Sequence, residues 1–189
     1  MAGSLALFRF DNELRRRPEH AAEQVHLTPD YVLDPVRAVL GGRIELDPCT
    51  TPENPVGADR FYALPDDGAA QSWDAATIFC NPPYGEARVR WARRCAEAGA
   101  AGSHVVLLIP AHTDTRIWHE AMASATSLLF IKGRVKFGVP RGNGRQVAAS
   151  HPSALVAWNV DLRQIGQLGT AIALQNPPPS TYVDIPFGL

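Results

Sequence analysis

The chain lacks long apolar runs, paired cysteines and clustered histidines, and each absence excludes a class of protein. None of its apolar stretches reaches the roughly 18 residues that cross a bilayer, so we expect a cytoplasmic protein with no membrane partner. Its three cysteines show no CxxC spacing, which argues against a disulfide framework or a zinc cluster. Its six histidines form no HExxH or similar pair, so we expect no protein-bound metal.

The net charge of −1 argues against a uniformly basic surface, but it hides an asymmetry along the chain. Residues 1–85 carry 7 Lys or Arg against 13 Asp or Glu, whereas residues 116–160 carry 6 against 1. A basic segment on a nearly neutral protein indicates contact with a polyanion. A solvated basic face without a ligand is the alternative, and charge alone does not decide between the two.

Apolar runs of strand length alternate with helical patterns from Arg43 onward, which predicts an α/β fold. The predicted strands span residues 43–47, 76–81, 103–110, 126–132 and 153–159, and the predicted helices span 28–40, 86–98 and 113–123. Thr28 is expected to cap the first helix, with Pro29 at its first helical position. Only 34 positions separate Asp47 from Asn81. They leave room for one short edge strand, over residues 60–63, so the sheet should be trimmed at that edge.

The motif Asn81-Pro82-Pro83-Tyr84 follows the buried run TIFC and has the clearest chemical content of any segment. In open α/β sheets, ligands bind at the carboxyl ends of strands. Proline has a fixed φ and no N–H group, so the motif forms a rigid end with outward-pointing acceptors. An amide oxygen and a backbone carbonyl can accept both hydrogens of an exocyclic amine, while Tyr84 stacks on the planar base. The motif therefore predicts methyl transfer to an amine by positioning and preorganised polarity.

A second group of polar residues, His112, Thr113 and Asp114, follows the apolar run SHVVLLIP. Because that run is typical of a central parallel strand, these side chains should face the same crevice as Asn81. They are candidates for contact with the substrate. Capping of the next helix by Thr113 or Asp114 explains their presence equally well.

Five basic side chains form the densest positive cluster in the chain: Lys132, Arg134, Lys136, Arg141 and Arg145. The first three alternate at strand spacing, which would place them on one face. The last two fall in residues 140–149, which show no periodicity and are predicted to form a loop. Phosphate contacts by this cluster would supply most of the salt-dependent affinity, and the loop would reach base edges.

The motif at 81–84 resembles that of amino-group methyltransferases that use S-adenosylmethionine. Further segments resemble the phage-type DNA N6-adenine methyltransferase (Dam) family. They are Thr28-Pro29, IELDP (44–48), DGAAQSW (67–73), LIPAHTDT (108–115), Trp118-His119 and FIKGRVKFG (130–138). The resemblance implies a Rossmann-like class I methyltransferase sheet in a single domain over residues 26–165, with residues 130–150 as the DNA-recognition segment. Residues 1–25 would be an N-terminal extension, and residues 166–189 an extended C-terminal tail.

The resemblance also implies a set of cofactor contacts. Asp47 and Pro48, at the end of the first strand, would contact the methionine end of S-adenosylmethionine. Thr28 and Pro29 would belong to an N-terminal cofactor motif, and Asp67 would lie near the cofactor's adenine. The glycine loop common in this superfamily is missing, so a helix-capping role for Asp47 stays open. Asp66 is an alternative to Asp67, and a turn without a ligand is another explanation for that pair.

By this resemblance, the protein would transfer a methyl group from S-adenosylmethionine to N6 of adenine in double-stranded DNA. The target base would be flipped out of the duplex and held by the motif at 81–84. We expect a phage-encoded or prophage protein in a bacterial host, acting as a monomer or weak homodimer. Two alternatives stay open: methylation of an RNA base or a protein glutamine, and a DNA-binding remnant without catalysis.

Overall fold

The structure is a computed structural model that describes residues 26–83, 88–140 and 144–174. Within these ranges the chain forms three α-helices: α1 (Asp30–Val39), α2 (Arg88–Ala100) and α3 (Arg116–Met122). The strands are β1 (Leu46–Thr50), β2 (Arg60–Ala63), β3 (Thr77–Cys80), β4 (His104–Pro110), β5 (Ser127–Ile131), β6 (Lys136–Gly138), β7 (Gln146–Ala148), β8 (Ser153–Trp158) and β9 (Gly169–Ala173). No helix in the described ranges has the length and apolar character needed to cross a bilayer.

Seven strands form one sheet in the order β2-β1-β3-β4-β8-β5-β9, and β6 pairs with β7 in a separate hairpin. The first four of these strands run parallel. β8 lies antiparallel between β4 and β5, so β5 runs in the same direction as β4 and β9 runs against it. This confirms the predicted α/β fold, and it is compatible with a Rossmann-like methyltransferase sheet. The short strand expected over residues 60–63 is β2, at the edge of the sheet.

The central strand β4 alternates its side chains between two apolar layers, one on each face of the sheet. Val106 and Leu108 pack in the layer that contains α1, whereas Val105, Leu107 and Ile109 pack in the layer that contains α2 and α3. A strand that is covered on both faces needs a continuous apolar run, which is why its position could be predicted from sequence. The two layers fix the carboxyl ends of β1, β3 and β4 at one edge of the sheet.

The first strand begins later than predicted, so Asp47 is its second residue rather than its last. The register against β2 shifts between Asp47 and Thr50, and within this irregularity the Cys49 N–H donates a hydrogen bond to Asp47 Oδ1 at 3.0 Å. Adjacent Asp and Pro residues are typical of a turn, which is why the sequence suggested a strand end. The irregular ladder instead accommodates Pro48 inside the strand.

Two helix starts also differ from the prediction. Thr28 does not cap α1, because the carbonyl of Pro29 accepts the first helical hydrogen bonds and the Pro29 position has no side-chain cap. The residue that precedes α3 is Thr115, so neither Thr113 nor Asp114 caps that helix. The polar side chains that would have served as caps are therefore available for other contacts.

The predicted loop over residues 140–149 contains a strand, since β7 pairs antiparallel with β6. Of the three basic residues expected to alternate along a strand, only Lys136 lies in one, because Arg134 precedes β6 and a turn at Gly133 (φ +80°) separates Lys132 from both. The C-terminal boundary also moves. β9 is paired with β5, so the sheet extends past residue 165, where the sequence suggested a tail.

Candidate active site

A cavity opens at the carboxyl edge of β1 and β3, the part of a parallel sheet where ligands usually bind. It encloses about 230 Å³, just below the range of about 300–1,000 Å³ typical of small-molecule sites. Its wall comes from the end of β1, the segment after β2, the residues after β3, and α2. The lining residues are Pro48, Cys49, Thr50, Tyr62, Ala63, Leu64, Pro65, Asp66, Asp67, Gly68, Asn81, Pro83 and Trp91.

Asn81 lines this cavity at the point where β3 ends. Its Nδ2 donates to the backbone carbonyl of His26 at 2.8 Å and to Thr28 Oγ1 at 3.1 Å. Its Oδ1 is buried and has no hydrogen-bond partner among the described residues. A buried acceptor without a donor costs about 1–3 kcal/mol. A buried atom of this kind, in a residue that lines a cavity, is a sign of a binding site.

The sequence did not predict that His26 and Thr28 hold Asn81. Thr28 was expected in a cofactor motif, but it does not line the cavity, and its hydroxyl binds the Asn81 amide instead. Pro29 is buried and also lies outside the cavity wall. The partners of Asn81 are more than 50 residues away along the chain, so no local pattern could have revealed them.

Asp47 is a buried carboxylate directly before the cavity wall at Pro48. Burial raises its pKa to about 7, while hydrogen bonds from the Cys49 N–H and the Thr50 hydroxyl lower it. No described cation forms an ion pair with it. A buried carboxylate with a raised pKa and no described cation partner can bind a cationic group of a ligand, because an adjacent positive charge favours the ionised carboxylate.

Cys49 is part of the same wall, and burial raises the pKa of its thiol, as do the nearby Asp47 and Asp67 carboxylates. The thiol therefore stays protonated near neutral pH, and it does not provide a nucleophile. Its contribution to the cavity is its shape and its low polarity.

The far wall depends on a close backbone contact at Gly68. A Cβ atom at this position would lie 1.8 Å from the carbonyl oxygen of Pro48, so only glycine allows the two segments to approach. Trp73 Nε1 donates to the Gly68 carbonyl at 2.9 Å, and the Trp73 ring packs against Trp91 at a centroid distance of 6.1 Å. These contacts give the cavity a rigid wall without a bound ligand.

Both candidate acids after β2, Asp66 and Asp67, line the cavity. Asp67 Oδ2 pairs with Arg90 Nη1 at 2.7 Å, and each side chain is 53 % exposed. An ion pair this open contributes about 0–1 kcal/mol to stability, so a polar ligand can compete for it.

His112, Thr113 and Asp114 follow β4 as predicted, but His112 lines a separate and smaller cavity, not the one that Asn81 lines. Its ring meets that of His151 edge-on at a centroid distance of 4.4 Å. Partial burial lowers the pKa of His112, as do His151 and Arg88, whereas Asp114 raises it. His151 was missed because an isolated exposed histidine has no distinctive sequence pattern.

The described basic residues of the predicted cluster, Lys132, Arg134, Lys136 and Arg145, are exposed on or beside the β6–β7 hairpin. Arg134 Nη1 also donates to the carbonyls of Ala149 and Ser150, which ties the two ends of the hairpin together. Arg141 of this cluster and Tyr84 of the motif lie outside the described residues.

The model of the family described as DNA N-6-adenine-methyltransferase (Dam) matches residues 18–176, most of the chain. A search of curated proteins gives no significant match. The matched region contains every described part of the cavity, the residues that hold Asn81, and the basic hairpin. The chain therefore belongs to the Dam family of DNA N6-adenine methyltransferases.

Proposed function

We propose that the protein transfers a methyl group from S-adenosylmethionine to N6 of an adenine flipped out of double-stranded DNA. One observation carries the proposal. The buried Oδ1 of Asn81, at the carboxyl end of β3 in a residue that lines the cavity, has no donor among the described residues. Membership of a DNA N6-adenine methyltransferase family supports the choice of base and polymer.

Asn81 and the Pro82 carbonyl would hold the N6 amine through its two hydrogens. The nitrogen lone pair of adenine is delocalised into the ring, and an amine held by two acceptors is drawn toward tetrahedral geometry, which frees the lone pair. Because the acceptors are fixed before the substrate arrives, little reorganisation is needed during the reaction. Tyr84, the next aromatic residue of the motif, would stack on the base. The adenine must leave the duplex to reach these groups.

The groups around the cavity suit S-adenosylmethionine by their chemistry. This cofactor supplies, when bound, a methyl group on a positively charged sulfur. The ammonium group of its methionine end would favour the ionised form of Asp47, which is buried and has no described cation partner. Pro48 would shape the wall, and Asp67, or alternatively Asp66, would meet the adenosine end at the exposed side of the cavity.

The basic cluster would bind the phosphate backbone of the DNA. Lys132, Lys136 and Arg145 present exposed cations beside the hairpin. Arg141 is assigned by the same argument from sequence. The exposed Gln146 on β7 and the adjoining residues are within the segment that would read base edges. His112, Thr113 and Asp114 would contact the substrate from the end of β4.

The test is incubation of the protein with methyl-labelled cofactor and duplex DNA of mixed sequence at low salt. We expect label in the DNA, identified as N6-methyladenine by mass spectrometry of the nucleosides. RNA of the same sequence and a glutamine-containing peptide mixture serve as competing substrates. Label in either of them but not in DNA would reassign the substrate. Saturable binding of DNA without any cofactor binding in calorimetry would identify a remnant without catalysis.

A further inference from the structure

The geometry points to Thr28 as a positioning residue for Asn81, within a short segment that links Asn81 to the basic hairpin. We call residues 26–28 the strut. The inference rests on the proposed function, and it goes beyond it by assigning Thr28 a role in orienting the substrate-binding amide. It also predicts that a shift in the position of the β6–β7 hairpin changes the orientation of the Asn81 amide through the strut.

The strut determines which way the Asn81 amide faces. A backbone carbonyl can only accept, so the nitrogen of the amide has to face His26, as its 2.8 Å contact requires. The second hydrogen of Nδ2 goes to the hydroxyl of Thr28, a residue only 9 % exposed. A flipped amide would set Oδ1 against the His26 carbonyl, two acceptors facing each other. The strut therefore keeps Oδ1 directed away from the His26 carbonyl.

This orientation decides the chemistry of the site. An amine substrate needs an acceptor, and a flipped Asn81 would offer it a donor instead. Two hydrogen bonds to a buried amide restrict it far more than one, because a single bond still permits rotation about the side chain. Thr28 therefore acts through Asn81 and is not itself in contact with the reacting atoms.

The other side of the strut is attached to β6. Leu27 and Gly138 exchange two backbone hydrogen bonds, of 3.0 and 2.9 Å. The His26 ring packs against the buried Phe137 at a centroid distance of 5.3 Å. β6 also carries Lys136, so the strut lies between a candidate phosphate contact and the motif residue. A shift of the hairpin on DNA would move the strut and thereby the partners of Asn81.

The first test compares Thr28→Val with Thr28→Ser. Valine keeps the shape of threonine but removes the acceptor, so we expect kcat to fall about tenfold, the effect of one lost hydrogen bond. The dissociation constants for S-adenosylmethionine and DNA should not change, and Thr28→Ser should restore kcat to within about twofold of the wild type. Thr170→Val, the same exchange at an exposed site on β9, is the control.

A second readout needs no methyl transfer. The side-chain NH₂ cross-peaks of Asn81 in a ¹H–¹⁵N spectrum, assigned by their loss in Asn81→Ala, should move in Thr28→Val and return in Thr28→Ser. Unmoved cross-peaks and a wild-type kcat in Thr28→Val would overturn the inference. An equal loss of cofactor affinity and kcat would overturn it too, because it would assign Thr28 to the cofactor site.

The link to the hairpin is tested by Gly138→Ala. A Cβ atom at Gly138 would lie 3.2 Å from Leu27 Cβ, so Leu27 has to give way by a few tenths of an ångström. We expect a severalfold lower kcat and displaced Asn81 cross-peaks. Gly166→Ala, whose Cβ would meet nothing within 4 Å, is the matched control. Wild-type kcat and unmoved cross-peaks in Gly138→Ala would refute the link.

The two readouts separate this inference from the proposed function. If the wild-type protein methylates no substrate, the proposed function fails, and the Asn81 cross-peaks still decide whether the strut orients the amide. If the wild-type protein is active, and Thr28→Val has the wild-type kcat and unmoved Asn81 cross-peaks, the proposed function stands and the inference fails.

Discussion

The cavity beside β1 and the β6–β7 hairpin are built in opposite ways. The cavity wall consists of buried backbone in close contact, with Gly68 against Pro48 and Trp73 bonded to the Gly68 carbonyl. The hairpin has three residues in each strand, and all three side chains of β7 are exposed. The first construction suits a small ligand of fixed shape. The second suits a long polymer, whose phosphates are bound by charge and not by shape.

The two regions also differ in where their polar groups find partners. Beside the cavity lies the buried Asp47 carboxylate, whose pKa is raised, and the Asn81 amide oxygen has no donor among the described residues. At the hairpin, Arg134 already donates hydrogen bonds to backbone carbonyls of the protein itself. Substitutions in the cavity should therefore have larger effects than substitutions in the hairpin.

The largest effect should come from Asn81→Ala. This variant tests whether the Asn81 amide is needed for methyl transfer but not for cofactor binding. Loss of a preorganised polar group at a reacting centre lowers rates by about 10²–10³-fold. We expect the single-turnover rate to fall by that amount, while calorimetry shows cofactor affinity close to that of the wild type. Transfer at the wild-type rate would mean that the reaction takes place elsewhere.

Asp47→Asn tests whether the cavity holds a buried charge for its ligand. The pKa of Asp47 is raised from 3.8 to about 7, so the folded protein keeps a proton that the unfolded chain releases. The resulting contribution to the free energy of unfolding therefore falls as pH rises from about 4 to 7, by a total on the order of 4 kcal/mol, and is constant above.

Urea unfolding at pH 5 and pH 8 without cofactor measures this effect. The asparagine variant should be the more stable protein at pH 8, with a smaller advantage at pH 5, whereas its affinity for S-adenosylmethionine should be lower. An unchanged difference between the two proteins across this pH range would contradict the assignment of a raised pKa to Asp47.

Gly68→Ala tests whether the close backbone contact shapes the cavity. The added Cβ would lie 1.8 Å from the Pro48 carbonyl oxygen, so one of the two segments must move. Overpacking of this kind costs about 1–3 kcal/mol. We expect a lower Tm together with weaker cofactor binding, and Gly166→Ala as control should match the wild type. Normal cofactor affinity in the Gly68 variant would show that the wall is adaptable.

Lys136→Ala should give the smallest effect. It tests whether the β6–β7 hairpin contacts the phosphates of DNA. Loss of one phosphate contact should weaken DNA binding severalfold and reduce the salt slope of log K by about one. Arg134→Ala should do the same and also lower the Tm, because its bonds to the hairpin ends are lost. Arg163→Ala, an exposed arginine paired with Asp161, controls for the change of charge. Equal salt slopes in all three variants would remove the hairpin from the DNA interface.

The strands could be predicted from sequence because their signals are local. The position of β2 agrees to the residue, and β3, β4, β5 and β8 differ from the prediction by only a residue at either end. Each of the latter four is a short, mostly apolar run in the centre of the sheet. Burial on both faces leaves a pattern that needs no knowledge of the partner strand.

The parts that were missed depend on distant partners or have no pattern. Thr28 and Asn81 are 53 positions apart, so their hydrogen bond is a property of the fold and not of either segment. β7 shows no alternation because all of its side chains are exposed. Asp47 was placed at a strand end because an adjacent Asp and Pro are typical of a turn, whereas β1 contains Pro48 within the strand.

The place of β8 between β4 and β5 also governs how the chain can fold during synthesis. β4 ends at Pro110, whereas its neighbour β8 begins only at Ser153. At about 5–20 residues per second, a ribosome needs several seconds to produce the intervening chain. Throughout that interval the apolar β4 has an unpaired edge, which is open to association with other chains. The nascent chain is therefore most exposed to aggregation before β8, at residues 153–158, has emerged.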